Sequence, residues 1–229
     1  MLKPIKLAKK DFLSSLDINK VELEYILELA NNFKHKKSEF KLENKVLGLI
    51  FDKSSTRTRV SFQVAMSRIG GTTIDLNPNT SQIVRGEPIK DTARVLSKYC
   101  DVLAIRTFNQ VDLEEYAKWS SKPVINALTD LEHPCQALAD YLTVKEKFGT
   151  FENLVLTYIG DGNNVANSLI LFGALLGLEV RIACPRGYEP NPSIINKAIK
   201  ISKNKNFLKI YHDPEEASVG ANILYTDVW

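Results

Sequence analysis

The chain of 229 residues is 44% hydrophobic and 25% charged, a composition typical of a soluble globular protein with one large domain or two small ones. This composition excludes collagen, coiled coils and disordered chains. The formal net charge of +3 is too small to specify nucleic acid or an anionic membrane as the partner. The function must therefore be inferred from individual sites.

The sequence predicts neither a membrane span nor a secretory signal. The longest strongly apolar run, from Leu169 to Leu178, is shorter than the roughly 18–20 residues that cross a bilayer. The basic N-terminus lacks the apolar stretch and the small-residue cleavage site of a signal peptide. The cysteines Cys100, Cys135 and Cys184 are scattered without C-x-x-C spacing, so neither a disulfide framework nor a zinc site is expected. We expect a protein of the reducing cytoplasm, without a metal.

The first half of the chain alternates predicted helices and strands. Residues 19–37 repeat apolar side chains at helical spacing, and residues 46–51 form an apolar run typical of a buried strand. The polar loop after residue 51 leads into a helical pattern that ends at Gly70 and Gly71. The same alternation predicts strands at 72–76, 102–106 and 124–127 and helices at 89–99 and 112–119.

A second series follows a helix predicted at 134–148, which begins with a proline in its first turn. Strands are predicted at 154–159, 180–183, 207–211 and 223–225, and helices from the glycine loop to about Gly177, at 192–203 and at 214–219. Repeated alternation implies parallel sheets with helices on both faces. The predicted fold class is therefore α/β, with two domains that are each a parallel sheet flanked by helices.

The predicted domain division places the first domain at residues 1–133, a linker helix at 134–150 and the second domain at 151–229. In open parallel sheets, ligands collect at the carboxyl ends of the strands. Chemistry is therefore expected in the loops that follow Phe51, Arg106, Ala127, Ile159 and Tyr225.

The loop Ser54-Ser-Thr-Arg-Thr-Arg59 lies at a strand-to-helix junction, where free backbone N–H groups and the positive end of a helix favour an anion. The arginine forks and the hydroxyls of Ser55, Thr56 and Thr58 are suited to a phosphate group. The alternative is an ordinary helix cap followed by solvated arginines. The loop lacks the G-x-x-x-x-G-K-[ST] pattern of a Walker loop.

The segment Leu131-Glu-His-Pro-Cys-Gln136 offers three chemistries at the end of a strand. Cys135 and His133 are candidates for a nucleophilic pair, but the spacing does not establish that geometry. His133 could instead donate a hydrogen bond to a substrate carbonyl oxygen while Gln136 binds an amide group. The third interpretation is a helix-capping histidine beside an inert, buried cysteine.

The loop Gly160-Asp-Gly-Asn-Asn164 follows a strand and opens a helix, as in a dinucleotide fingerprint. The sixth position is Val165, and the next strand ends without the acid that would bind a ribose, so a nicotinamide site has little support. Asn163 and Asn164 either cap the helix or bind the carboxylate or ammonium of a polar small molecule.

Taken together, these motifs resemble the ornithine carbamoyltransferase family. The resemblance rests on Phe51-Asp-Lys-Ser-Ser-Thr-Arg-Thr-Arg59, Ser81-Gln82 ahead of Arg85-Gly-Glu87, His133-Pro-Cys-Gln136 and Gly160-Asp-Gly-Asn-Asn164, in family order along essentially the whole chain. It implies transfer of a carbamoyl group from carbamoyl phosphate to the δ-amine of ornithine, without a cofactor. It also implies two α/β domains, assembly as a homotrimer and a place in arginine metabolism.

The resemblance also assigns roles to residues. The predicted carbamoyl phosphate ligands are Ser55, Thr56, Arg57, Thr58, Gln82, Arg106, His133 and Gln136, of which Gln82 would enter a neighbouring subunit's site. Arg57, Arg106 and His133 are the predicted catalytic groups, because they would stabilise the oxyanion that forms when an amine attacks. Asn164 and Asp227 would bind ornithine, and Cys135 would mark the ornithine branch without acting as a nucleophile.

The sequence ends at Trp229, before a loop and C-terminal helices with which the family pattern continues. The second domain is therefore expected to be incomplete, and carbamoyl transfer to be more impaired than phosphate binding. The alternatives are another amine acceptor such as putrescine or an acylated ornithine, a non-catalytic binding form, and a nicotinamide-dependent oxidoreductase. The sequence leaves open whether the reaction serves arginine synthesis or breakdown.

Overall fold

Short apolar strands organise the chain into two parallel sheets. The computed structural model describes residues 3, 5–35, 40–77, 86–204 and 206–227. Packing divides the chain into a first unit, residues 1–18 and 32–130, and a second unit, residues 19–31 and 131–229. Both units have the predicted architecture of a parallel sheet flanked by helices.

The elements of the first half follow a short 3-10 turn at Ser15–Asp17, which the sequence pattern did not predict. In chain order they are α1 (Lys20–Lys34), β1 (Val46–Phe51), α2 (Arg57–Arg68), β2 (Thr72–Leu76), α3 (Ile89–Tyr99), β3 (Val102–Arg106), α4 (Gln110–Trp119) and β4 (Val124–Leu128). The strands form one sheet in the order β2-β1-β3-β4.

The elements of the second half begin with a fifteen-residue helix. They are α5 (Pro134–Phe148), β5 (Val155–Ile159), α6 (Asn164–Leu176), β6 (Glu179–Ala183), α7 (Pro192–Ile201), β7 (Leu208–Tyr211), α8 (Pro214–Ser218) and β8 (Ile223–Thr226). The second sheet has the order β7-β6-β5-β8, and all of its pairs are parallel.

Alternating side chains of the first sheet point to two separate apolar layers. Leu49 and Phe51 pack on one face with Met66 of α2. Ile50 packs on the other face, in a cluster that includes Leu113 of α4. Because both faces are covered, β1 is a nearly continuous apolar run rather than an alternating one, as expected for a central parallel strand.

Helix α6 is buried on nearly all sides, which explains its uniformly apolar sequence. The Asn163 side chain caps it by accepting hydrogen bonds from the N–H groups of Val165 and Ala166, and Gly177 ends it with φ +83°. No helix in the described ranges is long and apolar enough to span a bilayer.

Most of the predicted elements are confirmed to within two residues at each end. The strands 46–51, 72–76 and 102–106 and the helices 89–99 and 134–148 have the predicted bounds. Helix α4 begins at Gln110, two residues before the predicted start. The helix predicted at 19–37 is described as far as Lys34, and residues 36–39 lie outside the described ranges.

Helix α5, predicted as a linker, packs within the second unit. The Tyr141 hydroxyl donates a 2.6 Å hydrogen bond to the Leu169 carbonyl of α6, and the Tyr141 and Phe172 rings meet edge to face at 6.2 Å. Lys145 of α5 also pairs with Glu28 of α1 at 3.4 Å. The packing units divide the chain after residues 18, 31 and 130, and the domain division at residues 133 and 150 stays a prediction.

We predict that Phe172→Ala lowers the free energy of unfolding of the second unit by about 3–5 kcal/mol, because it removes a buried ring and leaves a cavity against Tyr141. Urea unfolding measures this loss. The control is Tyr188→Ala in the same unit, where the side chain is 60% exposed and the change should stay within about 0.5 kcal/mol. Equal losses in the two variants would contradict the buried position of Phe172.

Candidate functional site

In the first unit, the predicted phosphate loop and Arg106 lie at the point where the order of the strands reverses. From β1 the chain moves to β2 on one side, and β3 lies on the other side. Phe51 is paired with Arg106 in the parallel register, and the Asp52 N–H donates to the Arg106 carbonyl at 2.8 Å. Such a reversal opens a crevice at the carboxyl ends of the strands, where open α/β sheets bind ligands.

The two arginines of the phosphate loop differ in their surroundings. Arg59 donates from Nη1 to both carboxylate oxygens of Asp75, at 2.7 and 2.8 Å, and its guanidinium lies over the Phe51 ring. Arg57, the first residue of α2, is exposed and has no acceptor among the described residues. Arg57 is therefore the arginine that is available to an anion.

The alternative interpretation of this loop agrees with the exposed Arg57, but the side-chain cap that it predicts is not formed. Thr56 occupies the N-cap of α2, yet its side chain makes no capping hydrogen bond. The first N–H groups of α2 therefore lack the side-chain acceptor that usually binds them. A phosphate oxygen is a suitable replacement, because it also interacts favourably with the helix dipole.

Arg106 is a partly buried cation at the end of β3. Burial lowers the pKa of its guanidinium, and within the described part of the chain no acceptor binds its Nε. An arginine stays charged at neutral pH, and leaving a buried charged donor unpaired costs free energy. An anion or a carbonyl oxygen at this point would remove that cost.

In the second unit, helix α6 holds the loop that carries His133. The His133 N–H donates to the Ser168 hydroxyl at 2.9 Å, and the Asn167 side-chain amide donates to the Leu131 carbonyl at 2.9 Å. His133 occupies the N-cap of α5, but its imidazole makes no capping hydrogen bond. The capping interpretation of this histidine is therefore not supported, and the backbone of His133 is held by Ser168.

Cys135 is unsuited to a nucleophilic role. Burial raises the pKa of its thiol to about 12, from an ordinary value of 9.0. A thiolate is the reactive form of cysteine, and activated cysteines have a lowered pKa instead. This result disfavours the Cys/His pair and agrees with an inert cysteine at this position.

The reversal of strand order in the second sheet brings Asp227 to the glycine loop. β5 lies between β6 and β8, and Asp227 directly follows β8. The Asn163 side chain caps α6 with its oxygen and donates from Nδ2 to Asp227 Oδ2 at 3.0 Å. Of the two roles that the sequence left open for Asn163, the structure thus shows the helix cap, with Asp227 as a further partner, and Asn164 begins α6 beside it.

The glycine loop is filled by protein where a dinucleotide fingerprint would need space. The Gly162 N–H donates to the Tyr188 carbonyl at 2.7 Å, and a Cβ at Gly162 would lie 2.2 Å from the Pro190 nitrogen. In the fingerprint, the equivalent close approach is made to a pyrophosphate. Residues 188–190 take that place here, which argues against the nicotinamide alternative.

The structure thus groups the predicted site residues separately within each unit. Ser55, Thr56, Arg57, Thr58 and Arg106 lie at the strand reversal of the first sheet. Asn164 and Asp227 lie at the strand reversal of the second sheet, and His133 and Gln136 lie at the start of α5. Gln82 lies outside the described residues.

Comparisons with known proteins match both units. Residues 10–146 match the family model of the aspartate/ornithine carbamoyltransferase carbamoyl-P binding domain, and residues 152–229 match that of the Asp/Orn binding domain. The ornithine carbamoyltransferase of Prochlorococcus marinus subsp. pastoris is 75% identical over 229 residues, which are 100% of this chain and 74% of the relative.

The chain is also similar to solved structures of ornithine carbamoyltransferases. The ornithine carbamoyltransferase of Pyrococcus furiosus is 46% identical with a TM-score of 0.93, over 99% of this chain and 74% of that one. The ornithine carbamoyltransferase of Gloeobacter violaceus is 50% identical with a TM-score of 0.89, over 96% of this chain and 74% of that one.

We predict that iodoacetamide alkylates Cys135 at a rate that rises about tenfold per pH unit from about pH 7 to pH 10, because only the thiolate reacts. The thiol pKa near 12 keeps the thiolate fraction small throughout this range. Mass spectrometry of the Cys135 peptide measures the rate. In the urea-unfolded chain the rate should level off above about pH 9, as for an ordinary thiol. A plateau at neutral pH in the folded chain would restore the nucleophile hypothesis.

We further predict that Gly162→Ala separates the glycine loop from residues 188–190, because the new Cβ would overlap the Pro190 backbone. The expected loss in stability is about 1–3 kcal/mol. Hydrogen exchange should also become faster in residues 160–166. Gly149→Ala is the control: Gly149 has a positive φ, but nothing lies within 4 Å of its Cβ position, so exchange in residues 160–166 should not change. Unchanged exchange in Gly162→Ala would disprove the steric role.

Proposed function

Because the chain belongs to the aspartate/ornithine carbamoyltransferase family, we propose that it transfers the carbamoyl group of carbamoyl phosphate to the δ-amine of L-ornithine, forming L-citrulline and phosphate. The observation that carries this proposal is a pair of cations at the strand reversal of the first sheet: Arg57 is exposed and has no acceptor among the described residues, and the buried Nε of Arg106 has none either. Ornithine is the proposed acceptor because the similar proteins described above are ornithine carbamoyltransferases.

The phosphate group is the proposed ligand of the loop that opens α2. The Arg57 guanidinium can donate two parallel hydrogen bonds to phosphate oxygens, and Ser55, Thr56 and Thr58 supply hydroxyl donors. The N-terminal N–H groups of α2 add donors without a further charge. Arg59 is not assigned to the substrate, because Asp75 already binds it.

The carbamoyl carbonyl oxygen is the proposed ligand of Arg106 and His133. The neutral δ-amine attacks the carbonyl carbon, a C–N bond forms, and the carbonyl oxygen becomes an oxyanion. The C–O bond to the phosphate then breaks, and the proton of the attacking amine leaves with the phosphate, which is basic enough to accept it. Donors held in place before the reaction stabilise this oxyanion more than they stabilise the substrate. No cofactor is needed for these steps.

Ornithine is the proposed ligand of Asn164 and Asp227, in the part of the chain that matches an Asp/Orn binding domain. Asn163 occupies Asp227 Oδ2, so Oδ1 remains for a substrate ammonium group. The Asn164 side chain offers both a donor and an acceptor, which suits an amino acid with its carboxylate and ammonium groups. Gln136 would contact the amine of the carbamoyl group.

We also propose that the protein acts in the cytoplasm, in arginine biosynthesis, as a homotrimer in which Gln82 enters a neighbouring site. The family resemblance supports the trimer and the Gln82 role, and the scattered cysteines suit a reducing compartment. Analytical ultracentrifugation tests the trimer directly, because a monomer has a mass of 25.8 kDa.

We predict that Arg57→Ala weakens carbamoyl phosphate binding by about 100-fold or more, because two charge-assisted hydrogen bonds are lost. Isothermal calorimetry measures the affinity, circular dichroism checks the fold, and a colorimetric assay follows citrulline. Arg68→Ala is the matched control, since Arg68 is an exposed arginine at the other end of α2. Unchanged affinity in Arg57→Ala would remove the basis of the anion site.

A further inference from the structure

A chain of hydrogen bonds in the second unit connects Gln136 to two residues that the proposed mechanism does not use. Gln136 Nε2 donates to Asp140 Oδ1 at 3.0 Å, and the Tyr225 hydroxyl donates to Asp140 Oδ2 at 3.1 Å. The Tyr225 ring is in turn stacked on the buried Tyr158 ring at 5.8 Å. Asp140 thus receives one hydrogen bond on each carboxylate oxygen.

The contact between Gln136 and Asp140 follows from their spacing on helix α5. Gln136 and Asp140 are four residues apart, so their side chains lie next to each other on one face. Tyr225, at the third position of β8, fixes the carboxylate from the side of the sheet. Of the three groups, Gln136 is exposed, while Asp140 and Tyr225 are half-buried.

The carboxylate decides which end of the Gln136 carboxamide faces outward. A side-chain amide has a donor end and an acceptor end of nearly the same shape, so either end can face a neutral partner. An ionised carboxylate only accepts hydrogen bonds, and it therefore requires Nε2 to face Asp140. The oxygen Oε1 must then face away from Asp140, and no donor in the described ranges occupies it.

We propose that Asp140, supported by Tyr225, is a positioning residue that orients the Gln136 carboxamide so that Oε1 accepts a hydrogen bond from the NH2 of the carbamoyl group. This inference rests on the proposed function and adds a structural basis for its specificity toward the carbamoyl group. The carbamoyl NH2 is a donor, and an amide turned the other way would present a second donor to it. Asp140 therefore favours a carbamoyl group over an acyl phosphate that has an acceptor or a methyl group at that position.

The environment of Asp140 explains why both donors matter. Burial, and to a smaller extent the charge of Asp227, raise the pKa of the Asp140 carboxyl above its ordinary value. The hydrogen bonds from Gln136 and Tyr225 oppose this shift because they bind the ionised form. Burial also raises the pKa of the Tyr225 hydroxyl, which keeps it protonated as the donor.

The test compares binding of carbamoyl phosphate and inorganic phosphate by calorimetry. Asp140→Asn keeps the shape but allows Gln136 to turn, so we expect carbamoyl phosphate to bind about 10-fold more weakly, as for one lost hydrogen bond. Inorganic phosphate has no NH2, and its affinity should not change. Asp140→Ala should likewise weaken the binding of carbamoyl phosphate and leave that of inorganic phosphate unchanged. Glu146 is an exposed acid on the same helix, and Glu146→Gln should change neither affinity.

A double-mutant cycle with Gln136→Ala separates positioning from a general structural effect. In the Gln136→Ala background, Asp140→Asn should have no further effect on carbamoyl phosphate binding. The positioning role is overturned if the two effects add, if both ligands weaken together, or if Asp140→Asn binds carbamoyl phosphate like the unchanged chain. Failure of the unchanged chain to bind carbamoyl phosphate would overturn the proposed function as well.

Discussion

The candidate site depends on one topological constraint, the reversal of strand order within a parallel sheet. In the first unit, β1 lies between β2 and β3, so the loops that leave β1 and β3 diverge and open a crevice. The hydrogen bond from Asp52 to the Arg106 carbonyl keeps these two strand ends together. The second sheet repeats the arrangement at β5 and β8, where Asn163 binds Asp227.

A partly buried charge and a helix end without a side-chain cap make the crevice of the first unit suitable for a polar ligand. A folded chain normally satisfies its buried polar groups, because an unpaired group loses its hydrogen bonds to water without replacement. The Nε of Arg106 departs from this rule among the described residues, and the first turn of α2 lacks a side-chain cap. Both features lie at the same sheet edge, where a single anion could accept from the Arg106 guanidinium and from the first N–H groups of α2.

Hydrogen bonds between side chains assign different roles to residues of the same type. Arg57 and Arg59 are two positions apart, yet Asp75 binds only Arg59. Asn163 and Asn164 are adjacent, and Asn163 is used as a cap and as a partner of Asp227. Gln136 acquires a defined orientation only through Asp140. Each of these distinctions comes from a partner that is distant in sequence or one helical turn away.

By itself, the sequence determined the alternation of strands and helices, the α/β class and the short motifs at the strand ends. Those features depend on local hydrophobic periodicity and on capping residues, which neighbouring positions record. Only the tertiary structure decided the strand order, the packing of α1 and α5 with the second unit, which arginine of the phosphate loop has no acceptor among the described residues, and which asparagine caps α6. These depend on contacts between distant segments such as Arg59 with Asp75, and local patterns do not encode such pairings.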